Sequence, residues 1–245
     1  MGSNEERSAG KPERNEVLEE LIRSTPARIG VGRAGTRPLT STLLTLRLDH
    51  AAAVDSVYGE VRPELLDKLN LFSVTTMCRD KEMYLKRPDL GRRLTPESEA
   101  RLAAACMAKP QVQIVVSGGL SAEAIEANIE DVYPSLLDSL RSYKLTWGTS
   151  FFVTNGRVAC MDHIGELLEP EVLVMLIGER PGLASPQSMS AYLCYRPHIG
   201  TVESDRNVLS NIHRNGTQPI EAGAHIGTVV KAMIEQGTSG MNLRM

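Results

Sequence analysis

The sequence predicts an α/β protein in which a mainly helical N-terminal region precedes a Rossmann-like domain. Three observations support this fold class: a continuous apolar run at residues 172–177, strand and helix patterns that alternate after Pro110, and helical periodicity before it. Six consecutive large aliphatic side chains in the run leave no polar face. Such a run is typical of a central parallel strand that helices cover on both sides.

The first 109 residues divide into a tail and a helical domain. Residues 1–14 are polar and charged, and they predict a disordered tail. Over residues 15–109 apolar spacings predict helices near 17–22, 39–57 and 65–69, and Thr95 followed by Pro96 predicts the start of another. Residues 84–93 are strongly basic and lack periodicity. This pattern indicates an irregular segment that either is solvated or contacts another chain.

The glycines at positions 30, 32 and 35 match the spacing G-x-G-x-x-G of a dinucleotide-binding loop. That loop needs a strand before it and a helix that opens inside it, whereas Pro26 and Pro38 flank this stretch. The match therefore indicates a coincidence of spacing. The alternative is an NAD(P)-binding oxidoreductase that uses Gly30, Gly32 and Gly35.

Residues 110–245 predict the Rossmann-like domain. Strands are expected at 112–116, 150–154, 172–177 and 189–195. Helices are expected at 122–143, where Pro134 kinks or restarts the helix, near 164–168 and at 219–236. The pair Asn155-Gly156 predicts a hairpin whose return strand is 157–160. Residues 206–213 are rich in amide and hydroxyl groups, which indicates a loop that recognises amides.

The loop after residues 172–177 is the candidate ligand loop. In open α/β sheets ligands bind beyond the carboxyl ends of the strands, where Glu179 and Arg180 either contact a ligand or solvate the turn. Gly178 allows close approach on one side of Glu179, and Pro181 and Gly182 fix the backbone on the other.

Composition excludes several classes of function. A net charge of −3 gives no basic surface for nucleic acid, and no apolar run is long enough to cross a bilayer. We therefore expect an intracellular protein with no nucleic-acid or membrane partner. The four cysteines lie far apart, which favours reduced, buried thiols, and the five histidines have no metal-ligand spacing.

Four stretches of the chain read TPARIGVGRAGTRP at 25–38, YLKRPDLGRR at 84–93, GERPGL at 178–183 and SNIH at 210–213. Together they resemble one known family, the small subunit of ethanolamine ammonia-lyase. The resemblance implies an ammonia-lyase that uses adenosylcobalamin to convert ethanolamine to acetaldehyde and ammonia. In that family a separate large subunit holds the substrate, and the small subunit covers the corrin ring.

The resemblance also implies site residues and surroundings. By position, Val158, Glu179 and Val208 fall on the family's cofactor-binding positions, with no catalytic and no metal-binding residue in this chain. Some relatives carry cysteine in place of Val208, so this contact is expected through packing or the backbone. The implied state is a hetero-oligomer with the large subunit, cytoplasmic and within a bacterial microcompartment.

Overall fold

A computed structural model describes residues 16–25, 27–183 and 185–245. The tail predicted at residues 1–14 lies outside them. The chain divides into two compact units, one up to Ala52 and the other from Ala53 to Met245. The boundary predicted at Pro110 lies inside the second unit and stays a prediction. Within the described part of the chain, no helix is long and apolar enough to cross a membrane.

The first unit contains a helix, a small hairpin and most of a second helix. Helix α1 is Glu16–Ser24, strands β1 (Arg33–Ala34) and β2 (Arg37–Pro38) pair antiparallel, and α2 is Thr40–Tyr58, which continues into the second unit. Gly35 takes a left-handed φ of +63° in the hairpin turn, a conformation that glycine adopts without strain. Because no helix opens between Gly30 and Gly35, the strand–turn–helix context of a dinucleotide loop is not formed here.

The second unit holds a six-stranded sheet and the helices around it. After α2 the chain forms α3 (Pro63–Lys68), β3 (Phe72–Thr75), α4 (Lys81–Lys86), a 3-10 turn (Leu90–Arg92), α5 (Pro96–Ala105), β4 (Val112–Ser117), α6 (Ala122–Ser142), β5 (Phe151–Thr154), α7 (Cys160–Leu168), β6 (Val172–Gly178), β7 (Met189–Tyr195), a 3-10 turn (Glu203–Asp205), β8 (Arg206–Ile212), α8 (Pro219–Gln236) and a final 3-10 turn (Gly240–Asn242).

The sheet has the order β3-β5-β4-β6-β7-β8. The first four strands of this order are mutually parallel, and β7 and β8 extend the sheet as an antiparallel pair beside β6. All seven residues of β6 are buried, as the continuous apolar run predicts for a central strand. The fold is therefore a mixed α/β fold built on a largely parallel sheet.

Helices cover both faces of the parallel part. One core cluster packs α6 and α8 on the sheet through residues such as Ile125, Val174 and Ile226. The second cluster packs α5 and α7 on the opposite face, with Leu102 and Ile164 among its buried members. We call the side of the second cluster the α7 face. Ile177, at the end of β6, belongs to this face.

Side-chain and glycine caps mark three helix ends, and the helix start predicted at Thr95 is confirmed. The Thr95 hydroxyl accepts a hydrogen bond from the Ser98 N–H at the start of α5, and Ser121 does the same for Ala124 at the start of α6. Such caps satisfy N–H groups that have no partner inside the helix. Gly237 takes the left-handed conformation that ends α8.

Three local predictions are wrong. Asn155 has the left-handed φ that an Asn-Gly turn uses, but residues 157–160 form no return strand, because both edges of β5 are already occupied by β3 and β4. Residues 84–93 are not irregular throughout, since they include the end of α4 and a 3-10 turn. Residues 206–212 are strand β8 and not a loop.

Candidate functional site

The carboxyl ends of β4 and β6 lie at the position where open α/β sheets bind ligands. The chain leaves β4 towards β5 on one side and leaves β6 towards β7 on the other, so the two connections separate at this point. Two contacts hold the connecting loops together. The Leu120 N–H donates to the Gly178 carbonyl at 3.2 Å, and the Ser121 hydroxyl donates to the Pro186 carbonyl at 2.8 Å.

Gly178 makes this close approach possible. A Cβ atom there would lie 2.0 Å from the Ser121 carbonyl oxygen and 2.4 Å from that of Gly118. Neither oxygen can move without displacing the backbone of the loop before α6. Glycine at this position thus lets the loop before α6 approach closely beside Glu179.

Glu179 is half-buried immediately after β6, and its carboxylate is held by two donors. Its Oε1 atom accepts hydrogen bonds from the Ser190 hydroxyl on β7 and from the Asn211 N–H on β8, the latter at 2.9 Å. The Glu179 N–H donates to the Ser188 carbonyl. Among the described residues none donates to Oε2. One carboxylate oxygen is therefore fixed by the protein, and the other retains its full capacity to accept hydrogen bonds.

Val208 and Tyr192 are cross-strand partners on β8 and β7, so their side chains lie on the same face of the sheet. Tyr192 packs against the cluster of the α7 face, and so does Val158, just before α7. Ser190 lies two residues before Tyr192 on β7, so its side chain is on the same face. Its contact with Glu179 is therefore on this face as well. Val208 is 54% exposed. Val158 and Val208 thus lie on the α7 face, and Glu179 contacts a residue of the same face.

Tyr192 was missed by the sequence analysis. Burial raises the pKa of its hydroxyl, and the negative charges of Glu179 and Glu203 raise it further, so the tyrosine stays neutral at neutral pH. It presents a neutral aromatic surface beside Val208. Alternation along residues 189–195 places it on one face with Ser190, which is the signal that could have identified it.

A cavity of about 570 Å³ adjoins the site through Ala159, which follows Val158. It contains none of the three predicted site residues. Its lining includes His163, whose Nδ1 accepts the Leu94 N–H at 3.0 Å while Nε2 lies 3.3 Å from a Glu99 oxygen. Arg92 and Arg93 also line it, and neither forms an ion pair with a described residue.

A buried ion pair ties β8 to α7 beside the site. The Arg206 side chain is only 2% exposed, and its Nη2 atom lies 2.6 Å from Asp162 Oδ1. Burial raises the pKa of the Asp162 carboxyl, and the Arg206 charge opposes that rise. Asp162 is in the first turn of α7, and Arg206 begins β8. The pair therefore fixes the elements that carry Val158 and Val208 relative to each other.

Arg157 plays a comparable part for the basic segment 84–93. Its guanidinium donates to the Tyr84 carbonyl and lies 4.2 Å from the centre of the Tyr84 ring. The backbone N–H of Arg157 donates to the Gly91 carbonyl. A Cβ on Gly91 would lie 2.6 Å from Arg157 Cγ, so the glycine permits this packing. The segment is thus held against the turn that carries Val158.

The described residues contain no cluster of His, Cys, Asp and Glu suited to a metal ion. Cys78, Cys160 and Cys194 are buried, whereas Cys106 is partly exposed. Burial raises the pKa of the Cys160 thiol to about 12 and those of Cys106 and Cys194 to about 11. These thiols are protonated at neutral pH and are poor nucleophiles. The groups that the site offers to a ligand are the apolar surface beside Val208 and the Glu179 carboxylate.

Comparison with known proteins identifies the family. The family model of the ethanolamine ammonia-lyase light chain (EutC) matches residues 15–244. The chain is 48% identical to the ethanolamine ammonia-lyase small subunit of Clostridium perfringens over 233 residues, which are 95% of this chain and 79% of that protein. It is 50% identical to the small subunit of Fusobacterium nucleatum over 223 residues, 91% of this chain and 76% of that protein. The chain belongs to the ethanolamine ammonia-lyase small-subunit family.

Proposed function

We propose that the chain is the cofactor-covering subunit of an adenosylcobalamin-dependent ethanolamine ammonia-lyase. In this proposal Val158, Glu179 and Val208 contact the cofactor, and a separate large subunit holds ethanolamine. The assembly is a hetero-oligomer of large and small subunits in a bacterial microcompartment. Residues 15–109 and 110–245 serve as its helical and cofactor-covering domains. Family membership supports the lyase, and the geometry at Glu179 supports the cofactor contact.

The chemical groups at the site fit a corrinoid. A corrin ring carries methyl groups and amide arms, so it needs apolar surface together with acceptors for amide N–H groups. Val158, Tyr192 and Val208 provide partly exposed apolar surface on the α7 face. Glu179 Oε2 is an acceptor that no described residue uses. This open carboxylate oxygen beside apolar surface is the observation that carries the proposal.

Adenosylcobalamin, when bound, supplies radical chemistry that no protein side chain provides. The residues of this chain then have three tasks. Glu179 accepts a hydrogen bond from an amide arm and fixes the orientation of the ring, while Val158 and Val208 exclude water from its edge. None of them transfers a proton. The raised thiol pKa values agree with this division, because they leave the cysteines without a nucleophilic role.

Exposed surface supports a large-subunit partner. Helix α2 exposes Leu44, Leu48 and Tyr58, with Leu48 71% accessible. Leu44 and Leu48 are four residues apart and therefore share one side of the helix. Large exposed apolar residues grouped in this way are typical of protein–protein contacts. Arg92 and Arg93 form no ion pair with a described residue, and interfaces favour arginine because its guanidinium group has a planar set of donors.

The alternative of an NAD(P)-binding oxidoreductase is not favoured. Gly30, Gly32 and Gly35 lie before and within the β1–β2 hairpin, and α2 begins only at Thr40. The backbone N–H groups at a helix N-terminus, which bind the pyrophosphate in dinucleotide folds, are therefore not opened by these glycines.

Substitution of Glu179 tests the proposal. Glu179→Gln replaces a charged acceptor with a neutral amide, and hydrogen bonds to charged groups contribute about 1.5–3 kcal/mol. We expect the dissociation constant for adenosylcobalamin, measured by titration of the complex with the large subunit, to rise about tenfold to a hundredfold. Turnover of ethanolamine at saturating cofactor should change much less.

The control is Glu221→Gln, a change at an exposed carboxylate in the first turn of α8. It removes the same charge and should leave the dissociation constant unchanged. Normal cofactor affinity in Glu179→Gln would contradict the contact. A collapse of turnover at full cofactor occupancy would instead show that Glu179 belongs to the catalytic machinery.

A further inference from the structure

We propose that Ser190 is a positioning residue. With the Asn211 N–H, its hydroxyl holds one oxygen of Glu179 so that the other oxygen is presented to the cofactor. The inference rests on the proposed function and deepens it, because it explains how the carboxylate keeps a single orientation. Ser190 itself does not touch the cofactor in this proposal.

Ser190 lies on β7 directly opposite Ile177 of β6 and is 2% exposed. A buried hydroxyl must donate its proton to an acceptor, or it loses the hydrogen bond that water would supply. Among the described residues the acceptor is Glu179 Oε1, at 2.5 Å. The hydroxyl therefore has one partner, and that partner is the residue assigned to the cofactor.

Two donors from different strands fix the plane of the carboxylate. The terminal torsion of a glutamate side chain has broad minima, so a carboxylate held by one hydrogen bond can rotate. Here the Ser190 hydroxyl comes from β7 and the Asn211 N–H from β8, and both reach Oε1. Because Oε1 is held from two directions, rotation about that torsion would break at least one bond. Oε2 is consequently kept in one position.

The backbone around Asn211 is shaped for this contact. Asn211 has a left-handed φ of 61°, and the β7–β8 pairing is irregular between Met189 and Ala191. Such an irregularity redirects groups of an edge strand. The Asn211 carbonyl accepts the Thr217 N–H at 2.9 Å, and its Oδ1 lies 2.7 Å from His213 Nε2. These bonds stabilise the conformation that points the Asn211 N–H at Glu179.

Ser188 provides a matched control. It is 5% exposed, two residues before Ser190, and its buried hydroxyl has no hydrogen-bond partner among the described residues. Ser190→Ala and Ser188→Ala remove the same atom from neighbouring buried positions. Only the first removes a contact to Glu179.

The experiment measures the dissociation constant for adenosylcobalamin in the complex with the large subunit. We expect Ser190→Ala to raise it about threefold to tenfold and Ser188→Ala to leave it within about twofold. Ser190→Cys keeps the size of the side chain with a weaker donor and should give a smaller rise. If Ser190→Ala impairs folding, as shown by urea unfolding, the comparison rests on Ser190→Cys and Ser188→Cys. Equal constants for the Ser190 and Ser188 variants would overturn the inference.

A double-mutant cycle separates positioning from a general structural role. In a Glu179→Ala background Ser190 has no carboxylate to orient, so Ser190→Ala should no longer change the dissociation constant. If Ser190→Ala raised the dissociation constant by the same factor in both backgrounds, the inference would be overturned. If Glu179→Ala alone has no effect, the proposed cofactor contact fails. If Glu179→Ala weakens binding but Ser190→Ala does not, only the positioning role fails.

Discussion

At the scale of single residues, the geometry of the site depends on how closely two loops approach. Gly178 ends β6, and the carbonyl oxygens of Gly118 and Ser121 occupy the space that a Cβ would need. Gly182, four residues later, has ordinary surroundings, since its nearest contacts to an added Cβ are at 3.9 and 4.0 Å. Both glycines lie in the same loop region, but only one is required by packing.

We therefore expect Gly178→Ala to destabilise the protein and displace Glu179. Overpacking against immobile backbone costs about 1–3 kcal/mol, which urea unfolding of the purified chain would measure. Gly182→Ala should change the unfolding free energy by much less. Equal stability of the two variants would mean that the loops separate without cost.

The roles of single residues were only partly predictable from sequence. The position of Glu179 follows from the apolar run before it and the rule for strand ends. The partners of its carboxylate do not, because Ser190 and Asn211 are distant in sequence and meet Glu179 only through strand register. One sequence without aligned relatives contains no signal for that register. Tyr192 differs, since strand alternation places it on one face with Ser190, but only the structure shows that this side chain is partly exposed.

At the scale of elements, the sequence predicted buried structure better than edge structure. Strand β6 has a continuous apolar sequence, and β4 is buried along its whole length although it contains Gln113 and Ser117, because both faces of these strands are covered. β3 is a four-residue edge strand and β8 a half-exposed edge strand, so their apolar patterns are short or interrupted. The hairpin predicted at Asn155-Gly156 is wrong for a different reason. Its local chemistry suits a hairpin, but the sheet already fills both sides of β5.

The link between α7 and β8 gives a prediction at this scale. Removing one partner of a buried ion pair leaves the other charge buried and unpaired, at a cost of about 3–5 kcal/mol. Arg206→Met should lower the urea midpoint accordingly, because Asp162 would lose its buried counter-ion. Arg87→Met removes an exposed arginine paired with Asp89 and should change stability little. Matching midpoints for the two variants would show that Arg206 does not tie these elements together.

At the scale of the whole molecule, the surface is that of a subunit. The family to which the chain belongs is named for a small subunit, and the described chain exposes apolar residues on α2 together with unpaired arginines. The core is complete without these groups, since both faces of the parallel sheet are already packed. The exposed groups therefore remain available to a partner, which the proposed function identifies as the large subunit.

The last prediction concerns that association. Arg33 and Arg92 form no ion pair with any described residue, whereas Arg87 is engaged by Asp89 at 2.7 Å. Arginine is among the residues that contribute most to interfaces, so Arg33→Ala combined with Arg92→Ala should weaken binding to the large subunit about tenfold or more. Size-exclusion chromatography over a dilution series measures this change, with Arg87→Ala as the control. Because the Arg87 guanidinium is already paired with Asp89, Arg87→Ala should leave association with the large subunit unaltered. Co-elution of the double variant at the same dilution as the unmodified chain would show that these arginines are solvated and would move the interface elsewhere.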